Sequence, residues 1–391
     1  MDRDYRVMLA ASGLNTAVTA MLYASLQFLA YEKGHSLIYV GLVGALPYIG
    51  MMVMAYVWGL LSDWLGKRRD IVVATGVLGS LLFFVYPWLT TIEQLLAVRF
   101  VQVCLMGSII LLLAVVTERF PAEKGRVIGD INVPLSLGWM VGAAAAAFLY
   151  REHTTELWAL CGVVGLASAL VLVPLREERR AAGLRPMLSG MVTFRNKKQI
   201  GLLCAATLVL LIGNYMVYSV FAQYLRTPDF GLSEFQIGLL VAGSGLTGVL
   251  VVRFAGELAD LRGRRGIFLG AIVCYAASWT LYALTTNIYV VGLLWMLPYW
   301  SFFVTSSTAI ASDLTSEEER GRGIGILNAA INSGNVAGSL LGGLAAEVLG
   351  YRPTFGIAAA LVTASFFIAL GVRESNSSHS SGSTPAAPPE R

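Results

Sequence analysis

The chain has 391 residues, 56% hydrophobic and 13% charged, with a formal net charge of +4 and a mean hydropathy of +0.69. Soluble domains carry about 25% charged residues, so this composition excludes a soluble protein and places the chain in a membrane. The basic residues sit in short junctions between apolar runs rather than in one patch, which excludes nucleic acid as a partner.

A spanning helix needs about 20 mostly apolar residues. Runs of that kind predict an all-α integral membrane protein with twelve crossings, at residues 6–30, 39–62, 71–90, 92–117, 126–150, 156–175, 200–225, 235–259, 266–286, 288–312, 322–347 and 353–372. The N-terminus shows no small-residue cleavage site after a short apolar core, so the first run is read as a retained span. Pro47, Pro134 and Pro298 fall inside spans, where neighbouring helices can satisfy the freed backbone groups.

The first crossing carries Ser12, Asn15, Thr16, Thr19, Tyr23 and Gln27. At about 100° per residue these six lie within about 120° of one another. A lipid-facing stripe of that polarity would be costly, so it faces the bundle interior. There it either lines a cavity or hydrogen-bonds to neighbouring helices. The junction after the second crossing reads GLLSDWLGKRR, residues 59–69, and sets Asp63 beside Lys67, Arg68 and Arg69. The fourth crossing places Arg99 in mid-span, at roughly 2.5–3.5 kcal/mol on the insertion scale. Three readings stand for it: a functional group in the path, a buried ion pair, or snorkelling to the outer surface. Gln102 shares its face.

Residues 176–199, REERRAAGLRPMLSGMVTFRNKKQ, form the longest internal connection. They are read as a cytoplasmic linker along the inner leaflet, between an N-terminal six-helix bundle (1–175) and a C-terminal one (200–372). The seventh crossing offers Asn214, Tyr215, Tyr218 and Ser219, with Gln223 at the edge. The junction after the eighth reads GELADLRGRRG, residues 256–266. In the tenth, Trp295, Tyr299 and Trp300 supply aromatic walls for a bulky, partly apolar substrate, or plain packing. Residues 373–391 are Ser/Pro-rich and read as a disordered cytoplasmic tail.

The Lys/Arg bias sets orientation. With both termini in the cytoplasm, 22 of the 28 cations lie on the inner side, and only Lys33, Arg151, Arg226 and Arg352 lie on the outer side. A short chain without large loops fits a prokaryotic inner (plasma) membrane.

The two junctions repeat. An offset of 197 aligns Gly41 with Gly238, Gly59 with Gly256, Asp63 with Asp260, Gly66 with Gly263, and Lys67-Arg68 with Arg264-Arg265. At offset 196, GRVIGDINVPLSLGWMVG (125–142) matches GRGIGILNAAINSGNVAG (321–338). That match pairs Gly138 with Gly334 and Gly142 with Gly338. The chain therefore reads as two six-span halves in parallel orientation.

Two such halves, each with G-x-L-[SA]-D-x-x-G-[RK]-[RK] after its second span, resemble the major facilitator superfamily over roughly residues 6–372. The resemblance implies the major facilitator fold, two six-helix bundles related by a pseudo-two-fold axis, with a substrate site near the midplane between them. It implies that the glycines let crossings 2 and 11, and 8 and 5, approach closely. It also implies that Asp63 and Asp260 sit at the inner helix ends of crossings 11 and 5, and that the cations pair with acids such as Glu118 and Asp313. These contacts would latch the inner side and break as it opens; the other reading of the cations is topology alone. Arg99 and Gln102 resemble the family motif R-x-x-Q-G, with Val103 at the glycine position. In drug–proton antiporters that Arg is proposed to assist proton transfer. The antiporter signature of crossing 5 keeps Gly129, Gly138 and Gly142, while Ala143, Ala146 and Ala147 replace its Pro and Gly-Gly.

The expected function is secondary transport by alternating access, as proton-coupled efflux of a small, partly hydrophobic organic molecule by a monomer. The candidate cavity is Asn15, Thr19, Tyr23, Gln27, Arg99, Gln102, Asn214, Tyr218, Trp295 and Tyr299. Arg99 and Asp130 are the coupling candidates, Asp130 reading equally as a boundary acid paired with Arg126. Alternatives are a symporter or uniporter for a sugar, organic acid or other metabolite, and a receptor or scaffold on the same fold. An enzyme is not expected: H-E-x-x-H and G-x-S-x-G are missing from the spans, and all three His lie outside them. Cys104, Cys161, Cys204 and Cys274 lie in apolar runs and read as buried hydrophobes. No G-x4-G-K-[ST] is present, and no cofactor or metal is expected.

Overall fold

The structure is a computed structural model. It describes residues 3–107, 124–175, 196–316 and 319–373, the side chains of 55, 63, 124–131, 252, 253, 255–257 and 259–262 excepted. Regular structure among the described residues is entirely helical. In the N-terminal half, α1 is Arg3–Gly34, α2 Leu37–Leu65, α3 Arg68–Leu81 with a 3-10 continuation Leu82–Trp88, α4 Ile92–Met106, α5 Lys124–Leu149 and α6 Thr154–Leu170. In the C-terminal half, α7 is Lys197–Tyr218, resuming as Phe221–Leu225, and α8 and α9 are Glu234–Arg262 and Arg264–Leu284. There α10 is Ile288–Met296, resuming as Tyr299–Asp313, and α11 and α12 are Arg320–Leu349 and Tyr351–Leu370. This is an all-α fold with one helical segment in each of the twelve spans expected. Among the described residues, nine segments are long and apolar enough on their own to cross a membrane. Of the other three, α4 runs beyond Gly107 into residues outside the described set, α6 has 17 residues, and α11 is rich in Gly, Asn and Ser.

The repeated junctions have a local cause. Gly66 ends α2 at φ 62° and Gly263 ends α8 at φ 83°. A side chain at positive φ would be strained, so glycine makes the sharp stop that lets the next helix reverse. The cations that follow then cap other helices. Arg69 Nη1 donates to the carbonyl of Leu175, 2.9 Å away, and Arg265 Nη2 donates to that of Leu370 at 2.8 Å. Arg265 thus reaches the last residue of α12, where orphan carbonyls favour a cation, and Arg69 reaches the turns that follow α6.

Small residues set the close helix crossings. A Cβ on Gly142 would lie 2.7 Å from the Ala17 carbonyl carbon, and one on Gly138 would lie 3.0 Å from that of Gly13. In the other half, a Cβ on Gly338 would lie 2.5 Å from the Ile212 oxygen, and one on Gly334 would lie 2.8 Å from Leu211 Cβ. These four glycines therefore close on α1 and α7. The expected close approach of crossings 2 and 11, and of 8 and 5, is present but falls on other small residues: Gly41 against Gly343, Gly238 against Ala147, and Gly245 against Met140. The reason is rotational. The Gly138–Gly142 stripe faces into its own bundle, and the opposing side of α5 meets α8.

The tightest α2–α11 contacts lie at one end. Gly41 meets Gly343 and Ser339, and the Leu37 N–H donates to Glu347 Oε2 at 2.6 Å. Toward the other end, Gly59 on α2 and Gly321 and Gly325 on α11 have nothing within 4 Å of a Cβ position among the described residues, and Trp64 and Tyr56 are exposed. The end carrying the 34–37, 149–154 and 349–351 turns is sealed, and the end carrying the 65–68 and 262–264 turns is splayed.

Candidate functional site: a polar and aromatic cavity between the halves

A cavity of about 250 Å³ lies between the halves. α1 contributes Asn15, Thr19, Tyr23 and Gln27; α2 Tyr48 and Met51; α4 Arg99; α5 Trp139; α7 Tyr215, Tyr218 and Ser219; and α11 Ser339. The polar stripe of α1 thus faces a cavity, and its residues also hydrogen-bond across the halves. A larger furrow, about 590 Å³, lies between α9 and α12 and is lined by Ala283, Leu284, Ala360 and Phe367. Its exposed Leu284 and Phe367 put it on the outer face of the bundle, where lipid would fill it.

The sealed side of the cavity is built on a break in α7. The helix stops at Tyr218, and its freed carbonyl accepts the Tyr23 hydroxyl at 3.0 Å and Gln27 Nε2 at 3.3 Å. Gln223, on the resumed turn, donates to the Gln27 carbonyl at 2.8 Å. An orphan carbonyl in a membrane needs such a partner, and here it comes from the opposite half. The Tyr48 and Tyr215 hydroxyls meet at 2.7 Å, also across the halves. Tyr23 lies against Tyr218 with ring centroids 4.4 Å apart and against Trp139 at 5.8 Å.

A charged layer closes the same end. Arg226 Nη2 lies 3.1 Å from Glu234 Oε1, and its Nη1 lies 3.8 Å from Glu32 on the other half. Arg151 Nη1 reaches Glu234 Oε2 at 3.5 Å, and the Tyr150 hydroxyl donates to Glu32 at 3.2 Å. Glu234 is 9% exposed, so removing its cationic partners would strand a buried charge, which is costly. The sequence identified Arg151 and Arg226 only as outer-side cations; no local pattern marks their partners.

Arg99 is buried at 7% exposure. Its Nη1 donates to Gln102 Oε1 at 2.7 Å. Gln102 also accepts the Tyr86 hydroxyl at 2.8 Å and donates to the Gly79 carbonyl at 3.1 Å. Gln102 is thus engaged behind Arg99 and does not line the cavity. Three further expected residues stand outside the lining. Asn214 is buried and precedes Tyr215 by one residue, about 100° round the helix. Trp295 lies behind Tyr218, stacked on Phe221 at 3.9 Å. Tyr299 bonds to Ser278 at 2.6 Å because the break at Pro298 turns it toward α9. Conversely, Tyr48 and Trp139 line the cavity without having been singled out. Each lies one residue from a proline or glycine feature that drew the eye instead (Pro47, Gly138).

At the splayed end, Arg264 and Asp313 form the expected ion pair, within one half. Lys67 and Arg69 both pair with Asp70, at 3.7 and 2.6 Å. Glu118 lies outside the described residues, as do the side chains of Asp63, Asp130, Asp260 and Gly256. Among the described residues no cluster of three or more potential metal ligands occurs.

The sequence profile of the Major Facilitator Superfamily matches residues 8–202 and again 203–390. The chain belongs to the Major Facilitator Superfamily. The match falls on it twice, once per half. The chain is 28% identical over 362 residues to the multi-drug resistance efflux pump PmrA homolog of Lactococcus lactis, covering 89% of this chain and 86% of that one. It is 29% identical over 175 residues to the quinolone resistance protein NorA of Staphylococcus aureus, 44% of each. Among solved structures, it resembles the nucleoside transporter NupG with TM-score 0.75 at 14% identity, covering 95% of this chain and 99% of that one. It also resembles a bacterial homolog of the human lysosomal transporter Spinster, with TM-score 0.74 at 12% identity over 94% and 95%. At those identities the structural likeness carries the fold alone. Membership makes this superfamily chain a multi-pass membrane transporter of small molecules rather than an enzyme.

Proposed function

We propose that the chain exports small, partly hydrophobic organic molecules by alternating access, with protons moving the other way. The observation that carries this reading is the cavity between the halves, bonded shut on one side by residues of both halves and flanked on the other by ends of α2 and α11 where Gly59, Gly321 and Gly325 meet nothing within 4 Å of a Cβ position among the described residues. The efflux pumps related to it in sequence support the direction. The Lys/Arg bias puts both termini in the cytoplasm, so the sealed end faces out and this conformation opens inward. Asp63 and Asp260, with Lys67, Arg68, Arg264 and Arg265, then act as an inner latch that holds the two halves together when the sealed end opens. Among the described residues Gly59 and Gly325 have nothing within 4 Å of a Cβ position, which leaves this end room to close. The two halves, 1–175 and 200–372, are the moving bodies of a monomer, and 176–199 is the tether between them.

Purified protein in liposomes, tested on a panel of aromatic compounds under an imposed pH gradient, checks this directly. Accumulation that follows the gradient is expected. Equilibration that ignores the gradient replaces antiport with uniport, a second reading favoured by the absence of any carboxylate from the described cavity wall.

A further inference from the structure

We propose that the cavity selects organic anions: an aromatic body held by the tyrosines, with a carboxylate or similar planar anion seated on Arg99. This rests on the cavity being the transport site.

Three observations converge. First, Arg99 is the only charged residue among the described cavity-lining residues, with no acid to balance it. Its hydrogen-bond partner is the neutral Gln102, and no ion pair to it occurs among the described residues. Second, its Nε is buried and has no hydrogen-bond partner. A buried N–H left empty is costly, and a mid-membrane cation without a counter-ion more so. A planar carboxylate repays both, because the guanidinium presents N–H groups in a fixed fork that matches two oxygens. Third, two other polar atoms of the wall are also buried without partners, Gln27 Oε1 and Ser339 Oγ. Both are neutral, so Arg99 alone sets the sign of charge that the site accepts.

The rest of the wall sets the body of the ligand. Tyr23 and Tyr218 form an aromatic face with centroids 4.4 Å apart, Trp139 extends it, and Tyr48 and Tyr215 stand edge to face at 5.2 Å. The volume, about 250 Å³, is below the roughly 300–1,000 Å³ of drug-sized sites. In this conformation the cavity therefore suits a one- or two-ring molecule.

Fluorescence titration of the purified full chain, with Trp139 at the cavity as reporter, tests this with three probes of one shape: 2-naphthoate, 2-naphthamide and 2-naphthylmethylammonium. The acid is expected to bind at least tenfold more tightly than the amide, and the ammonium most weakly. Arg99→Gln leaves Gln102 a neutral donor and should fold; it should erase the gap between acid and amide. Arg99→Lys should keep a reduced preference for the acid. Equal binding of acid and amide to the unaltered protein overturns the anion site but leaves the cavity as the binding place. An acid preference that survives Arg99→Gln overturns Arg99 as its source. Failure of all three probes to bind, in protein that melts normally, overturns the cavity reading itself.

Discussion

Tyr23 donates its hydroxyl hydrogen to the main-chain carbonyl of Tyr218, 3.0 Å away and on the opposite half of the molecule. The carbonyl is free because α7 breaks there, and a helix break in a membrane must be satisfied by something. Here the partner belongs to the body that has to move away when the sealed end opens. Tyr23→Phe keeps the ring contacts and removes this donor, leaving only Gln27 at 3.3 Å. The loss should be about 1 kcal/mol. The population open at the sealed end should rise severalfold, read as faster alkylation of a cysteine placed at Ser25, which is buried here.

The Glu32–Arg226–Glu234–Arg151 layer predicts a larger effect of the same sign. Arg226→Gln removes the group that touches both carboxylates. Glu234 is buried, Arg226 is partly exposed, and the two halves share the network. A shift of about 1.4 kcal/mol, tenfold in the ratio of states, is expected. Combining Arg226→Gln with Tyr23→Phe should give close to the sum, since the two substituted side chains share no hydrogen-bond or ion-pair partner among the described residues.

Gly142 and Gly59 should respond in opposite ways. Gly142→Ala puts a methyl into the Ala17 backbone, and overpacking of that kind costs about 1–3 kcal/mol or more. The melting temperature in detergent should fall by several degrees. A Cβ at Gly59 meets nothing within 4 Å among the described residues, so Gly59→Leu should barely move melting while transport slows, because the splayed end can no longer close. Asp63→Asn should likewise slow transport without loss of folded protein. Unchanged kinetics in both would remove the inner latch.

Gln102→Leu should be costly although Gln102 does not touch the cavity. It strands the Tyr86 hydroxyl, Arg99 Nη1 and the Gly79 carbonyl, all bonded to it. Each stranded buried group costs about 1–3 kcal/mol. Thr19→Val, on the cavity wall, loses only an intrahelical bond to the Asn15 carbonyl and should leave the melting temperature nearly unchanged.

How far the sequence carried differs by feature, for physical reasons. Helices, repeat and junctions were legible because hydropathy, a fixed offset and positive-φ glycines are local properties. The α1 stripe was legible because six polar residues on one face have nowhere to go in lipid. Asn214 and Tyr215 show where this stops. Both are polar enough to face a cavity, and about 100° of rotation, set by how α7 packs on α11 and α12, decides between them. The break after Tyr218 carries no proline or glycine and is held in place by Tyr23 and Gln27. The sealed-end charges gave no signal because each partner comes from a different helix end. Gly138 and Gly142 were identified as packing residues, but a small-residue pattern does not name its partner.

Paired spin labels on α2 and α11 test the rocking of the two halves most directly. One pair replaces Trp64 and Ile326 at the splayed end, the other Ile38 and Val348 at the sealed end, all four exposed. Alternating access predicts that, as substrate and pH gradient are varied, the first distance shortens whenever the second lengthens. Distances that stay fixed, or that change at one end alone, would contradict it.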